Sequence, residues 1–196
     1  DVISKNKVRN EDLNCKARNS WSVLDLCCGS GAIGISLAKL GGDVKVTCSD
    51  LSSDALAMAE LNGRSLGAKS VKFVKSDMFE AFRGKLGNKK FDMIISNPPY
   101  IRRDVIETLE PEVRDHEPMM ALDGGEDGLD FYRQIVDEAP DFLKKEGVVM
   151  VEIGHDQMSD IIKLFSVDDR YSFVTGLKDL AGRDRIVVAV LSPKKK

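Results

Sequence analysis

Short apolar runs alternate along this chain with longer stretches in which apolar residues recur every three or four positions. The short runs are rich in valine and isoleucine and are bounded by glycine, aspartate, asparagine or serine, a pattern typical of buried strands. Strands that alternate with helices indicate a Rossmann-like, doubly wound α/β fold with a mainly parallel sheet. Seven strands are predicted, at Ser22–Leu26, Val44–Ser49, Val71–Val74, Phe91–Ser96, Val148–Glu152, Tyr171–Thr175 and Arg185–Leu191.

Helices are predicted between these runs. The helix Ala32–Leu40 is followed by Gly41-Gly42, a common stop signal. The next helix starts after a cap at Ser52 or Ser53 and runs to about Leu66. Two further helices are expected over residues 128–145 and 156–165. The inward face of the second helix is predicted to hold Ala55, Leu56, Ala59 and Leu66.

Two connections depart from this rhythm. Only Gly176–Asp184 separates the last two strands, which is too short for a crossover helix and predicts an antiparallel hairpin at one edge of the sheet. Residues 101–127 are interrupted by prolines and glycines and predict at most one short helix, near Asp104 to Leu109. A connection this long inside a compact domain is usually functional.

Composition bounds the class of protein. The 196 residues, 42% hydrophobic and 31% charged, suffice for one domain with a full core, expected at residues 21–196 after a linker or remnant of a preceding region at residues 1–20. A net charge of −3 gives no support for a general nucleic-acid surface. No apolar run approaches the roughly 20 residues of a membrane-spanning helix. The polar first twenty residues and four cysteines without zinc-site spacing predict a reduced, cytoplasmic protein without a metal site. A monomer is also expected.

Several predicted strands end in small or acidic residues, at the edge where such sheets bind ligands. The turn of small residues after the first strand lets a ligand approach the backbone and the start of the next helix. Asp50 ends the second strand, where a carboxylate can accept hydrogen bonds from two ribose hydroxyls. These two features fit a nicotinamide cofactor or S-adenosylmethionine equally well. The predicted cofactor-binding residues are Asp25, Cys27, Cys28, Gly29, Ser30, Gly31, Asp50, Leu51, Asp77, Met78 and Asn97.

Three side chains favour S-adenosylmethionine. Asp25 can attract a methionine ammonium and would repel a pyrophosphate. Asp77 can accept the adenine amine, with Met78 packed on the ring, and Asn97 adds an amide at the fourth strand end. Cys27 stands where many such turns have their first glycine, so we expect that the turn does not depend on a positive φ there. A nucleophilic or metal-binding role for Cys27 and its neighbour Cys28 is disfavoured, because no histidine or further cysteine is near in sequence.

The segment Asn97-Pro98-Pro99-Tyr100 has the features of a receptor for a planar –NH2 group. The prolines stiffen the backbone and leave carbonyls that can only accept hydrogen bonds. The Asn97 side chain adds another carbonyl acceptor, and Tyr100 offers a flat face. A tight turn is the plainer interpretation of Asn-Pro alone. The whole tetrapeptide at the end of a buried strand favours the receptor.

Together these motifs resemble those of class I S-adenosylmethionine-dependent methyltransferases that act on a planar nitrogen. From about Val23 onwards the chain resembles one family more closely, the peptide-chain release factor glutamine methyltransferases, or HemK-like proteins. The segments that carry the resemblance, in order, are Asp25–Ala32, Ser76-Asp77, Asn97–Ile101, Leu109–Val113, His116–Pro118, Ala121–Gly125, Asp127–Leu129, Phe131–Arg133, Glu152–Gly154 with Gln157, and Asp179–Arg185.

The resemblance implies the class I methyltransferase fold and methyl transfer from S-adenosylmethionine, with S-adenosylhomocysteine as product. The acceptor it implies is the side-chain amide of the glutamine in a Gly-Gly-Gln loop, so release factors are the expected partners, without direct contact with nucleic acid or membrane. Separately from the resemblance, the loop supplies Glu110, Glu112, Asp115 and Glu117, and this acidic rim is expected either to meet a basic surface of the partner or to be simply solvated. The implied catalytic residues are Asn97, Pro98 and Tyr100, and the implied substrate-binding residues are Asn97, Pro98, Pro99, Tyr100 and Glu117.

The chain departs from the family at two points. The family usually has Gly-Thr in place of Cys27-Cys28, and its members carry an N-terminal helical domain, so we interpret this chain as the catalytic domain alone. Two alternatives remain. An adenine amino-methyltransferase would hold a flipped-out base of DNA or RNA with the same tetrapeptide, although the acidic balance and residues 109–133 argue against it. A non-catalytic cofactor-binding scaffold is disfavoured by the intact tetrapeptide and strand-end acids.

Overall fold

A computed structural model describes residues 20–84, 88–111 and 118–193 of the chain. At its centre is a single seven-stranded sheet with the strand order β3-β2-β1-β4-β5-β7-β6. Neighbouring strands are parallel except at β5–β7 and β6–β7, which are antiparallel. The predicted doubly wound sheet with an antiparallel hairpin at one edge is therefore confirmed. The strands are β1 (Trp21–Leu26), β2 (Val44–Asp50), β3 (Val71–Lys75), β4 (Phe91–Ser96), β5 (Leu143–Glu152), β6 (Tyr171–Lys178) and β7 (Asp184–Leu191).

Helices cover both faces of this sheet. The hydroxyl of Ser52 caps the second helix by accepting a hydrogen bond from the backbone N–H of Ala55 at 3.2 Å. Short 3₁₀ turns occur at Glu80–Phe82 and Ala139–Asp141. The α-helices of the described residues are α1 (Ala32–Leu40), α2 (Ser53–Ser65), α3 (Arg103–Ile106), α4 (Met119–Leu122), α5 (Asp130–Glu138) and α6 (Met158–Ser166).

Several predicted boundaries and one buried position were wrong. The helix expected over residues 128–145 ends at Glu138, because Pro140 belongs to a 3₁₀ turn and cannot donate the backbone hydrogen bond that would continue the helix. The chain then enters β5 at Leu143, five residues before the predicted strand start at Val148. The described residues within 101–127 contain two short helices, α3 and α4, where at most one was predicted. Leu66 is 58% exposed, because α2 ends before it.

Buried side chains lie on both faces of the sheet. On one face, Leu24 and Ile94 belong to a cluster with side chains of α5 and α6, in which the rings of Phe79 and Phe142 are stacked at 4.6 Å. The other face carries a smaller cluster that includes Val23 and residues of α1 and α2. This packing holds the carboxyl ends of β1 to β4 in fixed positions.

Membrane-spanning helices and the N-terminal linker concern the chain as a whole. No helix in the described ranges is long and apolar enough to cross a membrane. Residues 1–19 lie outside the described residues. A linker at residues 1–20 and a domain boundary there therefore stay predictions.

Candidate active site

The carboxyl ends of four strands lie side by side at one edge of the sheet. Leu26 of β1 pairs with Ser49 of β2 on one side and with Ser96 of β4 on the other. The Ser96 hydroxyl donates a hydrogen bond to the backbone carbonyl of Leu26 at 2.7 Å. Directly after β3, the backbone N–H of Ser76 donates to the carbonyl of Asp50 at 3.0 Å. The structure therefore brings the turn after β1, Asp50, Asp77 and Asn97 to one edge.

In the turn between β1 and α1, every second residue from Cys27 to Gly31 has a left-handed backbone. Cys27, Gly29 and Gly31 have φ values of +57°, +52° and +79°. The expectation that no positive φ is required at Cys27 is therefore wrong, because the chain reverses direction there to enter α1. A Cβ at Gly29 would meet nothing within 4 Å, which leaves open space beside that backbone. A Cβ at Gly31 would lie 2.8 Å from the Ile35 Cδ1, and the left-handed backbone there favours glycine.

Both cysteines of the turn remain protonated at neutral pH. Burial, and secondarily the charge of Asp50, raises the pKa of Cys27 to about 12, and the thiol lies 3.8 Å from the Met78 sulfur. The neighbouring Cys48 thiol, followed by burial, raises the pKa of Cys28 well above its ordinary range. The thiolate is the nucleophilic form of cysteine. The raised pKa values disfavour the thiolate at both positions, and the cofactor contacts expected of Cys27 and Cys28 stay predictions.

Asp25 is completely buried beneath the turn. Its Oδ2 accepts a hydrogen bond from the backbone N–H of Gly34 at 2.7 Å, whereas its Oδ1 has no partner among the described residues. Burial raises the pKa of this carboxyl to about 7, against the opposing effect of the Gly34 hydrogen bond. A buried acid with one free oxygen is suited to a cationic partner. The donor set of this orphaned oxygen is compatible with an ammonium group, and the contact of Asp25 with S-adenosylmethionine stays a prediction.

Asp50 holds the turn as well as facing the open edge. Its Oδ2 accepts a hydrogen bond from the backbone N–H of Gly29 at 2.8 Å, and its Oδ1 accepts one from Ser52 at 2.9 Å. Because each carboxylate oxygen can accept more than one hydrogen bond, these contacts leave capacity for two ribose hydroxyls. The adjacent Leu51 is 47% exposed.

Asp77 and Met78 follow β3 in different environments. Asp77 is exposed, and its contact with an adenine amine stays a prediction. Met78 is buried in the core, at 5% exposure and with φ +42°. A contact between Met78 and a ligand ring therefore stays a prediction. Among the described residues, no group of three or more His, Cys, Asp or Glu side chains has an arrangement that could hold a metal ion.

The segment Asn97-Pro98-Pro99-Tyr100 leaves β4 directly beside the turn. Asn97 is exposed, the two prolines are buried, and Tyr100 is half-buried. The Asn97 side chain makes no hydrogen bond to any residue in the described ranges, so its amide is available to a ligand. Tyr100 also forms part of the wall of a cavity of about 730 Å³, together with Leu129 and Gln157. Among the described residues, Tyr100 is the one member of the tetrapeptide that lines this cavity.

The segment after the tetrapeptide folds back onto Tyr100. Ile101 and Gly124 bond through their backbones, with the N–H of Gly124 donating to the carbonyl of Ile101 at 2.8 Å. A Cβ at Gly124 would lie 2.7 Å from the Tyr100 Cα, and one at Gly128 would lie 2.5 Å from the Tyr100 carbonyl oxygen. Sequence reasoning assigned no role to these glycines or to Gln157, which also contacts Tyr100. The only available signal was their place in the segments that resemble the family.

Most of the acidic residues expected to meet a partner lie outside the described residues. Glu117, the predicted substrate-binding residue, lies outside the described residues, as do Glu112 and Asp115. Glu110 is described and exposed. An acidic surface at residues 110–117 therefore stays a prediction.

This strand order, with a small-residue turn after β1 and acidic residues at the next two strand ends, defines the Rossmann-like fold of the class I methyltransferases. The solved structure of a methyltransferase from Pyrococcus furiosus shares it, with a TM-score of 0.66 and 20% identity, over 92% of this chain and 79% of that one. The chain belongs to the family described as methyltransferase small domain, whose sequence model matches residues 11–110.

Relatives with closer similarity are longer than this chain. The release factor glutamine methyltransferase of Clostridium acetobutylicum is 44% identical over 175 residues, which cover 88% of this chain and 60% of that protein. The protein of the same name from Agrobacterium fabrum is 43% identical over 171 residues, covering 87% of this chain and 57% of that protein. The chain thus spans somewhat over half of these relatives.

Proposed function

We propose that this chain is the catalytic domain of a protein-(glutamine-N5) methyltransferase. It transfers a methyl group from S-adenosylmethionine to the glutamine side-chain amide in the Gly-Gly-Gln motif of peptide chain release factors. The observation that carries the proposal is the exposed Asn97 amide, which has no described protein partner and stands at the end of β4 beside the turn that follows β1.

The proposed cofactor site uses the groups that the fold leaves with spare hydrogen-bonding capacity. The free Oδ1 of Asp25 would pair with the methionine ammonium, and Asp50 would accept the ribose hydroxyls. The exposed carboxylate of Asp77 would accept the adenine amine. When bound, S-adenosylmethionine supplies a methyl group activated by its sulfonium charge.

The proposed acceptor site holds a weak nucleophile. An amide nitrogen is a poor nucleophile because its lone pair is delocalised into the carbonyl. The Asn97 side-chain oxygen and the Pro98 carbonyl would each accept one N–H of the glutamine amide, and Tyr100 would fix its plane. Positioning of this kind can lower a barrier by about 7 kcal/mol or more. The two acceptors also stabilise positive charge that builds on the nitrogen.

The choice of release factors rests on the relatives. Two proteins named release factor glutamine methyltransferase match nearly nine-tenths of this chain at 43–44% identity. On the acceptor side, Gly124 and Gly128 lie against the backbone of Tyr100. An adenine acceptor would present the same –NH2 group, so the two substrates have to be separated by experiment.

The test combines acceptors with a site variant. The chain is incubated with isotopically labelled S-adenosylmethionine and either a purified release factor or nucleic acid, and the labelled glutamine is identified by mass spectrometry. We expect label in the release factor alone. Asn97→Ala should abolish transfer while changing the Kd for S-adenosylmethionine by less than about threefold, because Asn97 acts mainly on the acceptor.

Asn88→Ala is the matched control. Asn88 is a half-buried asparagine that precedes β4 at the opposite edge of the sheet and bonds the carbonyl of Asp141 at 3.4 Å. Its variant should transfer label at the wild-type rate. Near-normal turnover by Asn97→Ala would refute the proposed acceptor site. Label in nucleic acid alone would show that the acceptor is a nucleobase and not a glutamine side chain.

A further inference from the structure

Gln157 is a buried polar side chain next to the acceptor segment. It is 9% exposed and stands at the start of α6, where its backbone carbonyl accepts the N–H of Ile161 at 3.1 Å. Its side chain does not cap that helix. Instead, it points back toward the carboxyl ends of the strands.

The side-chain amide of Gln157 joins three separate segments. Its oxygen accepts the backbone N–H of Gly154 at 2.9 Å. Its nitrogen donates to the backbone carbonyl of Tyr100 at 3.0 Å and to that of Gly128 at 3.2 Å. Because an N–H can only donate and a carbonyl can only accept, these partners allow one orientation of the amide. Glutamine is the side chain that can serve all three at once.

The backbone around Tyr100 leaves little room for movement. The Gly128 and Gly124 backbones lie so close that a Cβ at either would fall within 2.7 Å of Tyr100 main-chain atoms. The N–H of Ile101 donates to the carbonyl of Leu122 at 3.0 Å on the same side. Gln157 supplies the side-chain link between this assembly and the helix α6.

We propose that Gln157 is a positioning residue, which fixes the Tyr100 carbonyl and thereby the direction in which Asn97 and Pro98 present their acceptor oxygens. The expected effect on the rate of methyl transfer rests on the proposed function. Gln157 would not touch the substrate. Its loss would let the tetrapeptide rotate, and methyl transfer depends steeply on alignment.

Two variants separate positioning from simple packing. Gln157→Leu removes all three hydrogen bonds at similar volume. Gln157→Glu keeps the acceptor for Gly154, but when ionised it directs a negative oxygen at two carbonyls. Burial raises the pKa of such an acid, and its protonated form can again donate one hydrogen bond. Tyr171→Phe, which removes a buried hydrogen bond to the carbonyl of Val136 at 3.0 Å, is the matched control.

We expect Gln157→Leu to lower kcat for release-factor methylation at least tenfold, with the Kd for S-adenosylmethionine within about twofold of wild type. The kcat of Gln157→Glu, relative to wild type, should rise as the pH falls from about 8 to about 6. Tyr171→Phe should lower the thermal midpoint by an amount similar to that caused by Gln157→Leu, and it should leave kcat unchanged. A kcat for Gln157→Leu equal to that of Tyr171→Phe would overturn the positioning role.

Amide hydrogen exchange decides the inference independently of activity. The N–H groups of Ile101 and Gly124 should exchange at least tenfold faster in Gln157→Leu than in wild type, whereas β1 amides should keep their protection. Unchanged exchange at both positions would overturn the inference. A wild-type chain that methylates no release factor would count against the proposed function alone, because the exchange measurement needs no acceptor.

Discussion

At the scale of single residues, Asp25 combines two features that rarely occur together. It is fully buried, yet one of its carboxylate oxygens has no partner among the described residues. The folded protein therefore favours the neutral acid, and the pKa of Asp25 rises from 3.8 to about 7. An ammonium group bound at the free oxygen would favour the charged form instead. Proton loss and cofactor binding should consequently be linked at this residue.

Asp25→Asn tests this linkage. A raised acid pKa stabilises the folded state fully below the unfolded pKa, and that stability is lost as pH rises toward 7. The unfolding free energy of Asp25→Asn, relative to wild type, should therefore increase by a few kcal/mol between about pH 4 and pH 7. Chemical denaturation at several pH values measures it.

The same variant should bind S-adenosylmethionine at least tenfold more weakly at about pH 8, because it cannot supply a charge for the ammonium. Wild-type affinity should increase as the pH rises through about 7. A stability difference between the two proteins that is independent of pH would show that Asp25 is already ionised in the folded state.

Cys27 shows a second constraint at this scale, since its backbone is left-handed at φ +57°. Such a conformation costs a non-glycine residue roughly 1–2 kcal/mol and is least accessible to β-branched side chains. Cys27→Gly should thus stay within about 1 kcal/mol of wild-type stability, because relief of strain offsets the greater flexibility of glycine when unfolded. Cys27→Val should lose at least about 2 kcal/mol. Equal urea midpoints for the two variants would contradict the left-handed geometry.

At the scale of elements, the end of β4 is supported by a segment distant in sequence. The chain from Leu122 to Gly128 crosses Tyr100 at backbone-to-backbone distance, and the bridge between Ile101 and Asp123 aligns the two segments in parallel. The side chains of this crossing segment matter less than the absence of a Cβ at two of its positions. The acceptor segment is therefore shaped by main-chain packing.

Gly124→Ala tests this packing. Its Cβ would meet three backbone atoms between 2.7 and 3.0 Å, none of which can rotate away. We expect a stability loss of about 1–3 kcal/mol and a fall in methylation of at least tenfold, measured by chemical denaturation and labelled-methyl transfer. The control is Gly63→Ala in α2, where the Cβ would meet side-chain atoms, the Phe73 ring at 3.0 Å and the Ile35 Cδ1 at 3.9 Å, and where alanine favours the helix. Gly63→Ala should keep full activity. Equal stability and equal methylation rates in the two variants would show that main-chain packing of residues 122–128 does not shape the acceptor segment.

At the scale of the whole molecule, local pattern was enough to predict the architecture. The helix Ala32–Leu40 and the strand Phe91–Ser96 have the predicted bounds, because each apolar run ends at residues that stop an element. The end of α5 was not predicted from the pattern, because helix-like apolar spacing continues past Pro140, which lies in the 3₁₀ turn that follows the helix. The shared edge of the candidate site followed from parallel topology alone.

What local pattern could not predict lies in contacts across long sequence distances. The orphaned oxygen of Asp25 depends on how α1 packs against β2, and the three hydrogen bonds of Gln157 depend on the crossing of residues 122–128 over Tyr100. Neither arrangement has a local signature in composition or periodicity. Both were visible only once the strands and helices were placed in space.

The strand order also has a consequence for the way the protein is made. Residues 148–152 of β5 pair on one side with 186–190 of β7, and β7 in turn separates β5 from β6. During synthesis, β5 therefore emerges well before the strand that covers its open edge. The nascent chain has to carry an unpaired, valine-rich edge until Asp184–Leu191 has been translated, which is the interval when such edges are most prone to mispairing. Mispairing of that open edge during synthesis is therefore a route by which folded protein is lost before the sheet is complete.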